Sequence, residues 1–334
     1  MLQAKRLNSF NFFRVFGAIV IFLCHLKLKN GIGGSLGLDI FFVLSGFCIY
    51  WGYADKIGEG KTISLTVFMK KRVLKIYPVY FIMIAVGFIY MVAICGFSLI
   101  STTIKLPGHL LFLQPFVKQY STAFNGAGWY VATLMWMYLF FYMIKSGKTS
   151  YVVISIWTVV LILVYYLFNG FIQGCSYDFS HSPLTTIVYF YIGVFGAKFF
   201  KTYQLSLSRL SFSLLEFVLL ALLVYCIFIP DPSFVCNIFV CVFIAILYYV
   251  YAHEKGILSQ FFGNKFFSVC ASYSFYFYMT HYMIIQYAVH LFNLEYTSFV
   301  VSFALFIATI ICSVGLKKLD EYVQFKYRQK NEIR

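Results

Sequence analysis

The sequence predicts an all-α, polytopic membrane protein of about ten transmembrane helices, with both termini in the cytoplasm. Three observations lead there. Of 334 residues, 62% are hydrophobic and 11% charged, and the mean hydropathy is +0.84; soluble domains carry about 25% charged residues and cannot hide this much apolar surface in one core. Apolar runs of near-spanning length recur along the whole chain. Basic residues collect in alternate connections.

A helix needs about 20 apolar residues to cross the hydrocarbon core, and such runs lie near 9–28, 36–54, 77–98, 126–145 and 151–169. Five more follow near 183–200, 210–229, 233–252, 268–292 and 296–316. With the N-terminus inside, the inner segments hold Lys5, Arg6, Lys56, Lys61, the Lys70–Lys75 cluster, Lys145, Lys148, Lys198, Lys201, Arg209, Lys255 and Lys265, and the tail adds six more from Lys317 to Arg334. The outer segments hold Lys27, Lys29, Lys105 and Lys118. Cytoplasmic loops of membrane proteins carry this excess of Lys and Arg.

Residues 1–320 thus read as a transmembrane domain and 321–334 as a cytoplasmic basic tail. The first apolar run lacks a small-residue cleavage site and is followed by further spans, so it is expected to stay in the mature protein. The net charge of +15 belongs to inner loops and does not point to nucleic acid. Nine cysteines lie mostly within apolar runs without a CxxC spacing, which reads as small buried residues rather than disulfides or metal ligands. The 99–125 connection contains a Leu110–Phe116 run too short to span, and reads as an interfacial or re-entrant segment.

The residues that carry chemistry are the ionisable ones inside the apolar runs. Arg14 and His25 are eleven residues apart in the first run; at 100° and 1.5 Å per residue the two fall within about 20° of one helical face and about 16 Å apart along it. Ionisable groups in a membrane usually face the bundle interior or a water-filled cavity. A snorkelling arginine and a histidine paired with a backbone carbonyl are the alternatives for each alone. Asp39 begins the second run at a depth comparable with His25, where a carboxylate can orient an imidazole and stabilise its protonated form, or serve as a helix N-cap. Ser45 follows on the same run. Lys70-Lys71-Arg72 and Lys75 sit in the next inner connection, where Lys and Arg can clamp phosphates or simply satisfy the inner-side charge bias.

Taken in order, these pieces resemble the membrane-bound acyltransferase 3 family. Its Arg followed after ten residues by His is matched by Arg14 and His25. Its G-V-D-[IL]-F-F-V-[IL]-S-G-[FY] helix is matched from Gly37 to Phe47. Its R-x-x-R-[IL]-[YF]-P stretch is matched by Arg72, Lys75, Tyr77 and Pro78, with lysine for the second arginine. Ser272 to His281 resembles its S-Y-S-x-Y-x-x-x-x-H helix. The family's Trp-Ser-Leu-x-x-Glu segment is represented by Trp129-Tyr130-Val131-Ala132-Thr133-Leu134, without the acid.

The resemblance implies a bacterial inner-membrane, multi-pass O-acyltransferase that moves an acetyl or other acyl group from cytoplasmic acyl-coenzyme A to a hydroxyl of a surface glycan, such as O-antigen, or of its lipid-linked precursor, without a metal. Arg14, Arg72, Lys75 and Ser45 are the expected donor-binding residues, with His25 as general base and Asp39 orienting it. Trp129, Tyr130 and His281 are the expected acceptor-side or channel residues, although His281 in a tyrosine-rich helix equally suits a structural role. The family's hydrolase-like second domain is not among these residues, so direct transfer is expected. The rival reading is a transporter or flippase of a lipid-linked glycan, which would line its cavity with several deep cations.

Overall fold

A computed structural model describes residues 6–26, 36–58, 63–115, 124–147, 183–228, 234–294 and 298–332. Among these residues the chain is helical throughout, without strands. The helices are α1 (Phe10–His25), α2 (Leu36–Tyr53), α3 (Leu65–Ile89), α4 (Leu99–Thr103), α5 (Leu106–Leu110), α6 (Gly128–Lys145), α7 (Pro183–Thr202), α8 (Arg209–Cys226), α9 (Phe234–Tyr251), α10 (Ile257–Phe262), α11 (Lys265–Phe292) and α12 (Phe299–Glu332). Each expected span overlaps one of them except 151–169, which lies outside the described residues.

Among the described residues four helices are long and apolar enough to cross a membrane: α2, α3 with its π-helical extension to Ile94, α8 and α12. The chain is therefore a membrane protein by composition and length. Helices α1 and α9 are apolar but shorter. Helix α11 is long enough, yet its Tyr, Ser and His residues lower its hydropathy because that face points into the protein rather than at lipid.

Two boundaries differ from the sequence expectation. The run expected to begin at 77 begins at Leu65, where Ser64 caps the helix by accepting from the Val67 N–H. Pro78 lies inside α3 rather than at its start; it removes one backbone hydrogen bond but leaves the flanking turns intact. Lys70 to Lys75 are thus helical, and Arg72 and Lys75, three residues apart, share a face. At the other end α12 continues through the basic tail to Glu332.

Helix α2 is central and packs against α1, α6, α7 and α9. Its contact with α7 is backbone to backbone. A methyl carbon on Gly46 would overlap the Phe190 carbonyl, and one on Gly193 would overlap the Val43 carbonyl. Small residues allow this approach in membranes, where packing rather than hydrophobic expulsion drives association. Gly46→Ala is therefore expected to destabilise the protein by about 1–3 kcal/mol, the usual cost of overpacking. Thermal unfolding in detergent checks this, and an unchanged midpoint would contradict the contact.

The start of α1 is held from a distant part of the chain. The Asn8 and Ser9 N–H groups donate to the Glu254 carboxylate at 2.6 and 3.2 Å, and Ser9 Oγ donates to the Tyr251 carbonyl at 2.9 Å. These bonds satisfy the open donors of a helix N-terminus and fix where α1, and so Arg14, sits.

Candidate active site

Five helices converge on one cavity of about 310 Å³. Helix α1 contributes Arg14, α2 contributes Ser45 and Cys48, and α3 contributes Arg72 and Lys75; Tyr130 and Tyr138 come from α6, with Ser274 and Tyr278 from α11. All four donor-side residues expected from the sequence meet here, together with Tyr130, which was expected on the acceptor side. Among the described lining residues there is no carboxylate.

The cations are held by neutral groups. Arg14 donates to Asn11 Oδ1 at 3.2 Å and points its other nitrogen at Cys48 Sγ, 3.5 Å away. Arg6 donates to the same Asn11 oxygen at 3.3 Å, and Asn11 is fully buried. The Arg72 guanidinium lies 4.4 Å from the Tyr53 ring centre and 5.5 Å from that of Tyr138, with its Nε buried and unbonded. Aromatic faces and an amide orient guanidinium groups without cancelling their charge, which leaves a preformed anion site.

Asn11 and Arg6 were missed in the sequence. The signal available was the spacing: Asn11 precedes Arg14 by three residues and so lies on its face.

His25 ends α1, outside the cavity. Its Nδ1 is 2.9 Å from the Ile21 carbonyl, and its ring meets those of His281 and Tyr282 edge to face at 5.1 and 5.2 Å. His281 is fully buried, with Nδ1 2.5 Å from the Tyr278 carbonyl and Nε2 unbonded. A carbonyl only accepts, so Nδ1 carries the proton on both rings and each Nε2 keeps a lone pair. Two potential bases thus stand together at this end of α1.

Asp39 is buried near the start of α2. No hydrogen bond or ring contact joins it to His25 among the described residues, and the Ile21 carbonyl occupies the His25 Nδ1 position. Trp129 is half-buried against Phe42, 6.3 Å between ring centres, and does not line the cavity.

The acyltransferase-domain profile matches residues 7–318. The chain belongs to the acyltransferase 3 family. Within that family it is similar to the acyltransferase MdmB of Streptomyces mycarofaciens, with 27% identity over 164 residues, 42% of this chain and 39% of that protein. It is also similar to the peptidoglycan O-acetyltransferase OatA of Listeria monocytogenes, with 32% identity over 26% of this chain and 14% of that protein. Protein 2 in the picA locus of Rhizobium radiobacter is 31% identical over 23% of this chain and 43% of that protein. The alignments span less than half the length of each of these relatives. No solved structure matches the chain. Arg14 and His25, the pair that matches the family's first helix, both lie on α1.

Proposed function

We propose that this acyltransferase moves an acyl group, acetyl foremost, from coenzyme A to a hydroxyl of a cell-surface glycan or its lipid-linked precursor in the bacterial inner membrane. The observation that carries the reading is the cavity uniting Arg14, Arg72, Lys75 and Ser45, with no carboxylate among its described lining residues and with His25 about 16 Å further along the same helix. Anionic phosphates suit the cations and Ser45. The extended pantetheine arm is of the right order of length to carry the thioester toward His25. The positive-inside charge pattern supports ten spans with both termini cytoplasmic, and so a cytoplasmic donor.

His25 Nε2 takes the proton of the acceptor hydroxyl as its oxygen attacks the thioester carbonyl. The carbon–oxygen bond forms, the carbon–sulfur bond breaks, and the departing thiolate recovers the proton from His25. The Ile21 carbonyl holds the tautomer this needs. Asp39 stabilises the transient imidazolium through its buried charge, and His281 lies against the same ring as a second acceptor of protons or hydroxyls. Trp129, near the same end of α6, offers a ring face to a sugar. The name of the Listeria relative supports a glycan acceptor.

Inverted membrane vesicles carrying the protein, incubated with acetyl-coenzyme A radiolabelled in the acetyl group, are expected to move label into the glycan fraction. In the same vesicles Asp39→Asn is expected to lower the rate without raising the donor KM. Absence of label from every glycan and lipid-linked glycan fraction would overturn the acceptor class. Labelling only when the donor is supplied to the periplasmic face, as in right-side-out vesicles, would overturn the donor side.

A further inference from the structure

The turn Asn125-Gly126-Ala127, which leads into α6, lies across one stretch of α11, from Tyr278 to Tyr282, and meets it at three points. The Tyr278 hydroxyl donates to the Ala127 carbonyl at 2.8 Å. Asn125 Nδ2 donates to the Met279 carbonyl at 2.9 Å. Gly126 lies so close to the Tyr282 ring that a methyl carbon on it would overlap Cε1 and Cζ. The same stretch of α11 carries the two rings that meet His25 edge to face, those of His281 and Tyr282.

Asn125 suits its place by chemistry. It is buried, and its Oδ1 accepts from the Ala127 N–H at 3.1 Å while its Nδ2 reaches α11. A short primary amide supplies acceptor and donor at once, whereas an ionised carboxylate only accepts and an aliphatic side chain does neither. Met279 lies mid-helix, where the helical ladder already serves its carbonyl. The Asn125 bond therefore holds the turn against α11 rather than filling a vacancy there. On the other side of the turn, the Phe124 carbonyl takes the space that a methyl carbon on Gly87 of α3 would need. Wedged between α3 and α11, the turn has no room to back away from Tyr282.

We infer that Asn125 and Gly126 are positioning residues for the base: the Asn125 bonds fix the turn, and the missing side chain of Gly126 lets the Tyr282 ring lie where it and His281 set the plane of His25. This rests on the reading of His25 as general base. The Ile21 carbonyl fixes one atom of the imidazole, Nδ1, at 2.9 Å. The rings of His281 and Tyr282, each at 88° to it, fix its plane. A base has to stand within about 2.6–3.2 Å of the proton donor it serves, and a misplacement of about 1 Å costs on the order of 100-fold in rate.

The test pairs the rate of acetyl transfer at saturating acetyl-coenzyme A in inverted vesicles with equilibrium binding of donor to the purified proteins. Gly126→Ala is expected to lower the rate by about ten- to a hundredfold with donor Kd unchanged, because the cations line a cavity that this turn does not touch. Tyr282→Leu removes the ring that the added methyl strikes, so Gly126→Ala made in that background is expected to cost less than about twofold more, the non-additivity of residues in contact. Asn125→Leu, close in size but without donor or acceptor, is expected to show the same split between rate and affinity, and carries the test if Gly126→Ala does not accumulate. A wild-type rate in the accumulated single variant overturns the inference, as does donor affinity that falls in step with the rate, or an equal Gly126→Ala penalty in both backgrounds. A wild-type rate in His25→Ala would instead refute the base reading beneath it.

Discussion

Replacing His25 with alanine is expected to lower acyl transfer by about 10²–10⁴-fold, the usual contribution of a positioned base, while acyl-coenzyme A binding stays intact. The separation follows from geometry. His25 lies outside the cavity and touches Ile21, His281 and Tyr282, whereas the cations line the cavity. The side chain terminates α1 and its loss leaves the apolar face of that helix unchanged, so the variant should accumulate normally. The measurement pairs transfer in vesicles with equilibrium binding of donor to the purified protein. Near-normal transfer by a well-accumulated variant would remove His25 from the mechanism.

The second large effect belongs to the opposite end of α1. Charge-assisted contacts to phosphate contribute about 1.5–3 kcal/mol each, so Arg14→Ala and Arg72→Ala are each expected to weaken donor binding by roughly tenfold or more. The rate at saturating donor should fall much less than in His25→Ala. Lys75→Arg is expected to bind donor equally well or better, because the guanidinium fork can engage two phosphate oxygens. Donor titration of the purified variants decides it. Wild-type affinity in both alanine variants would show that the cavity cations serve something other than the donor.

Much of this arrangement was legible in the sequence. Apolar run length located the helices, and the eleven-residue interval gave the relation between Arg14 and His25, because both depend on one helix at a time. What depended on two helices was hidden. The meeting of His25 with His281 requires α1 against α11, and no spacing between residues 25 and 281 encodes it. Asp39 matches His25 in depth, but depth says nothing of azimuth. Lys70 to Lys75 read as a loop because charge clusters and Pro78 usually mark one, yet Ser64 caps a helix that runs through them. Tyr138 and Tyr278 were indistinguishable from core residues, since an aromatic lining and an aromatic core have the same composition.

The tether between the start of α1 and Glu254 has a consequence for how the protein is made. Its hydrogen bonds join residues separated by 245 and 246 positions. Chains emerge at about 5–20 residues per second, so the first helix enters the membrane on the order of tens of seconds before the carboxylate that seats it has been synthesised. During that interval Arg14 has its local partner Asn11 but not its final depth. The cation cluster is therefore completed late although it is built on the first helix, and the surroundings of His25 are completed later still, because His281 and Tyr282 follow Glu254 in the chain.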